Sequence, residues 1–174
     1  MLILRIGRLA RWALDRAADV PAHVDQAAID LHLAPGEAGL SVFRADDAEE
    51  RREVAIRFAL VCRDWPPDHI DYVTFPADLA TTLGLSVSPV PRDDLDLYLS
   101  RRHHEILGLT PELAWRLASA ILAHDGRHVE RLGKRQLPTL AAEVCRREPE
   151  IKGFLGEGGA VGLAPLLDDT RPGE

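Results

Sequence analysis

The chain has 174 residues, 46% hydrophobic and 28% charged, with a formal net charge of -7 and two cysteines. This is the make-up of one ordinary globular domain able to bury a core of its own. It excludes a disulfide framework, and no run of about 18 apolar residues exists to span a bilayer. With aromatics at 5%, the core is expected from Leu, Val, Ile and Ala.

The charge is unevenly placed. Residues 1–17 hold four Arg and one Asp, residues 18–100 hold 6 basic and 16 acidic side chains, and residues 127–152 hold 7 basic and 4 acidic. An acidic middle of this size repels a phosphate backbone, so nucleic acid is disfavoured as a partner unless the two basic segments meet on one face.

In MLILRIGRLARWALDRA, Leu2, Ile6, Leu9 and Ala13 recur at helical spacing, and Arg5, Arg8 and Arg11 interrupt the apolar run. The segment is read as a docking helix rather than a secretory leader. A helix this short needs packing to hold it, on its own sheet, on a partner or on an anionic membrane surface. AIDLHL at 28–33 alternates as a half-buried strand does, PGEAG at 35–39 is turn chemistry, and LSVFR at 40–44 reads as the return strand of a hairpin.

Residues 46–63 predict a helix, with Val54, Phe58, Val61 and Cys62 on one face and Asp46, Asp47, Glu49 and Glu50 at the positive end of its dipole. IDYVTF at 70–75 is a strand. Pro76–Leu83 predict a short helix closed by Gly84. LSVSPV at 85–90 is an edge strand, because Pro89 and Pro91 cannot donate to a ladder. Leu95, Tyr98, Leu99, Arg102 and Ile106 mark a helix over 93–107. Thr110-Pro111 opens another to about His124, residues 127–133 add a turn or two, and Leu137-Pro138-Thr139 opens a last one over about 139–155. The tail from 156 to 174, rich in Gly and Pro, is expected to lack fixed structure.

The fold class expected is therefore α+β. A small mixed or antiparallel sheet (about 28–91) packs against helices, followed by a C-terminal helical subdomain (about 93–155).

Chemistry-bearing residues concentrate in two stretches. Arg101-Arg102-His103-His104-Glu105 is the densest, with His103, His104 and Glu105 as candidate acid–base groups and Arg101 and Arg102 as candidate binding cations. On a helix, neighbours point about 100° apart, so the two histidines cannot both chelate one metal without outside ligands. The second is His124-Asp125-Gly126-Arg127-His128, where His128 is a catalytic candidate and Arg127 a binding one. Its histidines stand four apart, but Asp-Gly between them ends a helix. Arg44, at a strand end, is a candidate anion anchor. No metal is expected: structural zinc wants four ligands, and Cys145 is the only thiol in this half.

No cofactor is expected either. GFLGEGGAVG lacks the third Gly of a dinucleotide fingerprint and follows no strand. The helices at 111–124 and 139–147 have a helix-turn-helix flavour, but too many residues separate them.

Two function classes follow. One is a small cytoplasmic bacterial module acting through protein–protein contact, as an accessory or regulatory subunit, with a protein partner or a second copy. The other is a small enzyme or nucleic-acid-acting protein built on the Arg101–Glu105 and His124–His128 segments. An enzyme needs these groups to converge on one pocket. A binding module leaves them splayed.

Overall fold

The computed structural model describes residues 2–6, 39–61, 69–125, 127–155 and 157–167. Among these residues a six-stranded sheet forms the centre: β1 (Leu2–Ile6), β2 (Gly39–Arg44), β3 (His69–Phe75), β4 (Ser86–Pro89), β5 (His103–Leu107) and β6 (His128–Gly133), in the order β4-β5-β2-β1-β3-β6. Each neighbouring pair is antiparallel. The helices among the described residues are α1 (Ala48–Leu60), α2 (Asp78–Thr82), α3 (Leu97–Arg102), α4 (Pro111–Ala123), α5 (Leu137–Arg147) and α6 (Glu157–Leu167). A 3-10 turn spans Pro149–Phe154.

Period-two alternation along β3 shows why helices cover both faces. Ile70 and Tyr72 join one apolar cluster with Phe43, Leu132 and buried residues of α1, α5 and α6. Val73 and Phe75 join a second with Leu40, Val42, Ile106 and buried residues of α2 and α4. The chain is thus an α+β fold, an antiparallel sheet between two helical layers, and its last two helices are C-terminal.

Several local rules hold as the sequence implies. Asp47 caps α1 by accepting from Glu50 N at 2.8 Å, and Glu50 Oε2 reaches back to Asp46 N at 2.8 Å. Thr110 caps α4, with Pro111 at its first position. Gly84 closes the turn after α2 at φ +78°, a left-handed conformation that costs glycine little. β4, with Pro89, lies at a sheet edge. The other edge, β6, is stapled to β3. Arg131 donates from Nε at 2.6 Å and Nη2 at 2.8 Å to the buried carboxylate of Asp71, a bidentate pair directed inward from the edge.

Four expectations are overturned. Leu2–Ile6 is not part of a helix but a central strand, paired with β2 and β3; the rest of that segment, residues 7–17, lies outside the described residues. The helix read over 93–107 stops at Arg102, and His103–Leu107 is a strand bonded to β2 on one side and β4 on the other. The turns expected at 127–133 are also a strand, β6. Pairing with residues far along the chain outweighs a local helical period that a few apolar positions can mimic by chance. The tail is helical over Glu157–Leu167, where Leu163 is fully buried in the first cluster. The strand expected at 28–33 lies outside the described residues; the neighbours of β2 are β1 and β5.

Candidate functional site

Residues 54–60 form the apolar run VAIRFAL, and Arg57 is the one charge within it. Its side chain is 1% exposed, which is costly for a cation unless carboxylates follow it inward. Three do. Arg57 Nε donates to Glu53 Oε1 at 2.6 Å one turn back, Nη1 donates to Asp96 Oδ1 at 2.9 Å, and Nη2 stands 2.6 Å from Glu148 Oε2. Burial alone would lower the Arg57 pKa. Glu148 and Glu53 more than reverse that, and the guanidinium is held further above its ordinary value.

These partners come from three separate elements. Asp96 Oδ1 also caps α3, accepting from Tyr98 N at 2.9 Å and Leu99 N at 3.3 Å. Glu148 ends α5, and its pKa is lowered first by the hydrogen bond from Arg57. One guanidinium therefore ties α1 to α3 and to the end of α5. The Tyr98 ring carries two cations, Arg57 at 4.4 Å and Arg102 at 3.9 Å from its centroid. Arg102 Nη2 donates to Glu50 Oε1 at 2.7 Å. The Glu50 pKa is lowered, first by the bond from Asp46 N and then by Arg102.

Two clefts flank this network and share Tyr98 and Glu148 as a wall. One, of about 190 Å³, is acidic: Asp47, Glu49, Glu50, Glu53 and Glu148 line it with Arg147. Most of these carboxylates are already engaged: Glu50 by Arg102, Glu53 by Arg57 and Arg147, Glu148 by Arg57. The other, of about 290 Å³, is mixed. Leu97, Ile151 and Phe154 supply apolar walls, and Arg101, Arg102 and Glu150 stand among them. Leu97, at the start of α3, is 64% exposed, the most open large hydrophobic side chain among the described residues.

The chemistry-bearing residues of the sequence are dispersed. His103 is 1% exposed, its Nδ1 2.7 Å from Val90 O and its ring edge-on to Phe43 at 5.3 Å. Strand alternation sends His104 to the opposite face, where Nδ1 lies 2.9 Å from Arg102 O. Glu105 is half-buried, its Oε2 lying over Gly39 on the neighbouring strand. His128 is exposed at the start of β6, opposite Thr74. Four inter-strand steps separate β5 from β6, roughly 19 Å at about 4.8 Å each. Arg127 is half-buried and donates to His124 O at 3.2 Å. Arg44 is exposed beside Asp46 at 3.4 Å. Of the eight candidates, the mixed cleft takes in Arg101 and Arg102. His124 caps α4 in extended conformation, so it and His128 do not share a helix. Among the described residues, no three His, Cys, Asp or Glu side chains gather as metal ligands would.

Glu53, Arg57, Asp96 and Glu148 belong to no motif of the sequence, and Tyr98 is marked there only as a helix position. A signal was present: a lone arginine inside an apolar helical stripe, with Glu53 four residues before it.

The fold and site define a class by geometry alone, an antiparallel α+β domain with a charge-clamped cleft. No known protein family, curated protein or solved structure matches the chain.

Proposed function

We propose that this protein is a binding module, an accessory or regulatory subunit of a cytoplasmic bacterial assembly, and that it works through contact with a protein partner. One observation carries the reading. The acid–base residues that an enzyme would gather are spread over both sheet faces and across four strand spacings. The groups that do converge, around Arg57, are ion-paired to one another. What that network presents outward is Leu97, Tyr98, Arg101 and Phe154 around a shallow cleft. Aromatic and Arg side chains are enriched at interfaces, and here they stand beside Leu97, an exposed apolar side chain. Among the described residues no helix is long and apolar enough to cross a membrane.

The reading is tested by placing a photo-crosslinking amino acid at Leu97, and separately at Thr81 on the opposite face, in the native cell. A discrete adduct from position 97 alone, reproduced with the purified partner and abolished by Arg101→Glu, is the expected result. Equal labelling from both positions, or none from either, overturns it.

A further inference from the structure

We propose that the mixed cleft beside Tyr98 binds a free α-amino acid with an apolar side chain. Its carboxylate lies on Arg101, and its ammonium on Glu150 and the spare oxygen of Asp96. The inference concerns the interior of the cleft and stands apart from partner docking at its rim.

Three guanidiniums line the cleft, and two are committed. Arg57 holds three carboxylates and Arg102 holds Glu50. Arg101, in the last turn of α3, is exposed and has no carboxylate partner among the described residues. A guanidinium presents a planar fork that matches a carboxylate through two parallel hydrogen bonds. Glu150, in the 3-10 turn, also lines the cleft and is likewise exposed and without a cation partner among the described residues.

Asp96 adds a second acceptor. Its Oδ1 takes all three of its hydrogen bonds, from Arg57, Tyr98 and Leu99, while Oδ2 is buried with none. A buried acceptor without a donor is unfavourable, and a ligand ammonium relieves it. Asp96 lines the cleft beside Leu97, which is 64% exposed. Leu97, Ile151, Phe154 and the Tyr98 ring then supply apolar surface for the ligand side chain.

Charge and size narrow the class. The lining holds Arg57, Arg101 and Arg102 against Asp96, Glu148 and Glu150, so it is balanced and suits a ligand of no net charge. A single uncommitted arginine is too little for a phosphate ester. A volume of about 290 Å³ lies just below the range of ligand pockets, which begins near about 300 Å³, and so restricts the ligand to a small molecule. A zwitterion with an aliphatic or aromatic side chain meets all of these conditions at once.

Isothermal titration of the purified full chain tests this with L-leucine and L-phenylalanine, and with two half-molecules. 4-Methylpentanoate keeps the carboxylate only, and 3-methylbutylamine keeps the ammonium only. At least one of the amino acids is expected to bind, and each matching half-molecule to bind at least about 10-fold more weakly, the size of one charge-assisted contact. Arg101→Ala should weaken the amino acid at least about 10-fold. Glu150→Gln should weaken it without changing 4-methylpentanoate. Melting curves of both variants check that they fold, and both residues are exposed. Failure of every apolar amino acid to bind at about 10 mM overturns the proposal. So does binding indifferent to Arg101→Ala. N-acetyl-leucine binding as tightly as leucine overturns the ammonium half and assigns the cleft to a peptide C-terminus.

Discussion

Replacing Arg57 by alanine removes the charge that holds α1, α3 and the end of α5 together. Three carboxylates then face one another without it. Arg147 still reaches Glu53 and Glu148, so Asp96 is the group left with backbone donors only. Breaking a buried ion pair by removing one member costs about 3–5 kcal/mol. With Arg147 remaining, the lower end applies, about 3 kcal/mol. At about 2–4 °C per kcal/mol for a chain of this size, Tm falls by about 6–12 °C.

The pH dependence has a definite sign. Glu148 has a folded pKa below its unfolded one, owing first to Arg57. Its stabilisation is therefore present above the unfolded value, about 4.3, and is lost as pH falls through the folded pKa. Without Arg57 that difference shrinks, so the gap in Tm between wild type and variant should narrow below about pH 4. Calorimetry from neutral to acid pH measures both effects. A fall of less than about 2 °C at neutral pH, or a gap that stays constant into acid, refutes the reasoning. Arg57→Met, which keeps the apolar stem, should resemble Arg57→Ala; a Met variant as stable as wild type would mean that packing alone is at work.

Other consequences are as specific. His103→Leu leaves Val90 O without its ring partner and should cost about 1–3 kcal/mol in denaturant unfolding, yet leave partner and amino-acid binding unchanged. Leu163→Ala should cost about 2–5 kcal/mol and expose α6 to limited proteolysis first, since Leu163 is its fully buried anchor. In a Cys62→Ser background, Cys145 should resist a thiol reagent until the protein unfolds, because burial raises its pKa and closes it to solvent; rapid labelling of the native protein would contradict this.

Elements defined by nearby residues were legible in the sequence. The Asp47 cap with its acidic first turn, Thr110-Pro111, Gly84 and the proline-marked edge strand each rest on contacts within a few positions. What escaped depends on distant pairing. His103–Leu107 and His128–Gly133 carry helix-compatible spacing, but β2 and β4 hold the first and β3 the second. The charge clamp escaped for the same reason. Glu53, Asp96 and Glu148 are spread over 96 positions and meet only because α1, α3 and α5 converge on Arg57. Arg101 and Arg102 were legible as cations but not as walls of a cleft, since the helix that places them is only six residues long.

The claim that the Leu97–Arg101 surface, and not the histidines, carries function is tested most directly by quantitative co-purification from the native cell. Wild type is compared with Leu97→Asp/Arg101→Glu and with His104→Ala/His128→Ala. Recovery of a partner is expected to fall at least about 10-fold in the first variant and to be unchanged in the second. Recovery indifferent to the first pair, or abolished by the histidine pair, would contradict it.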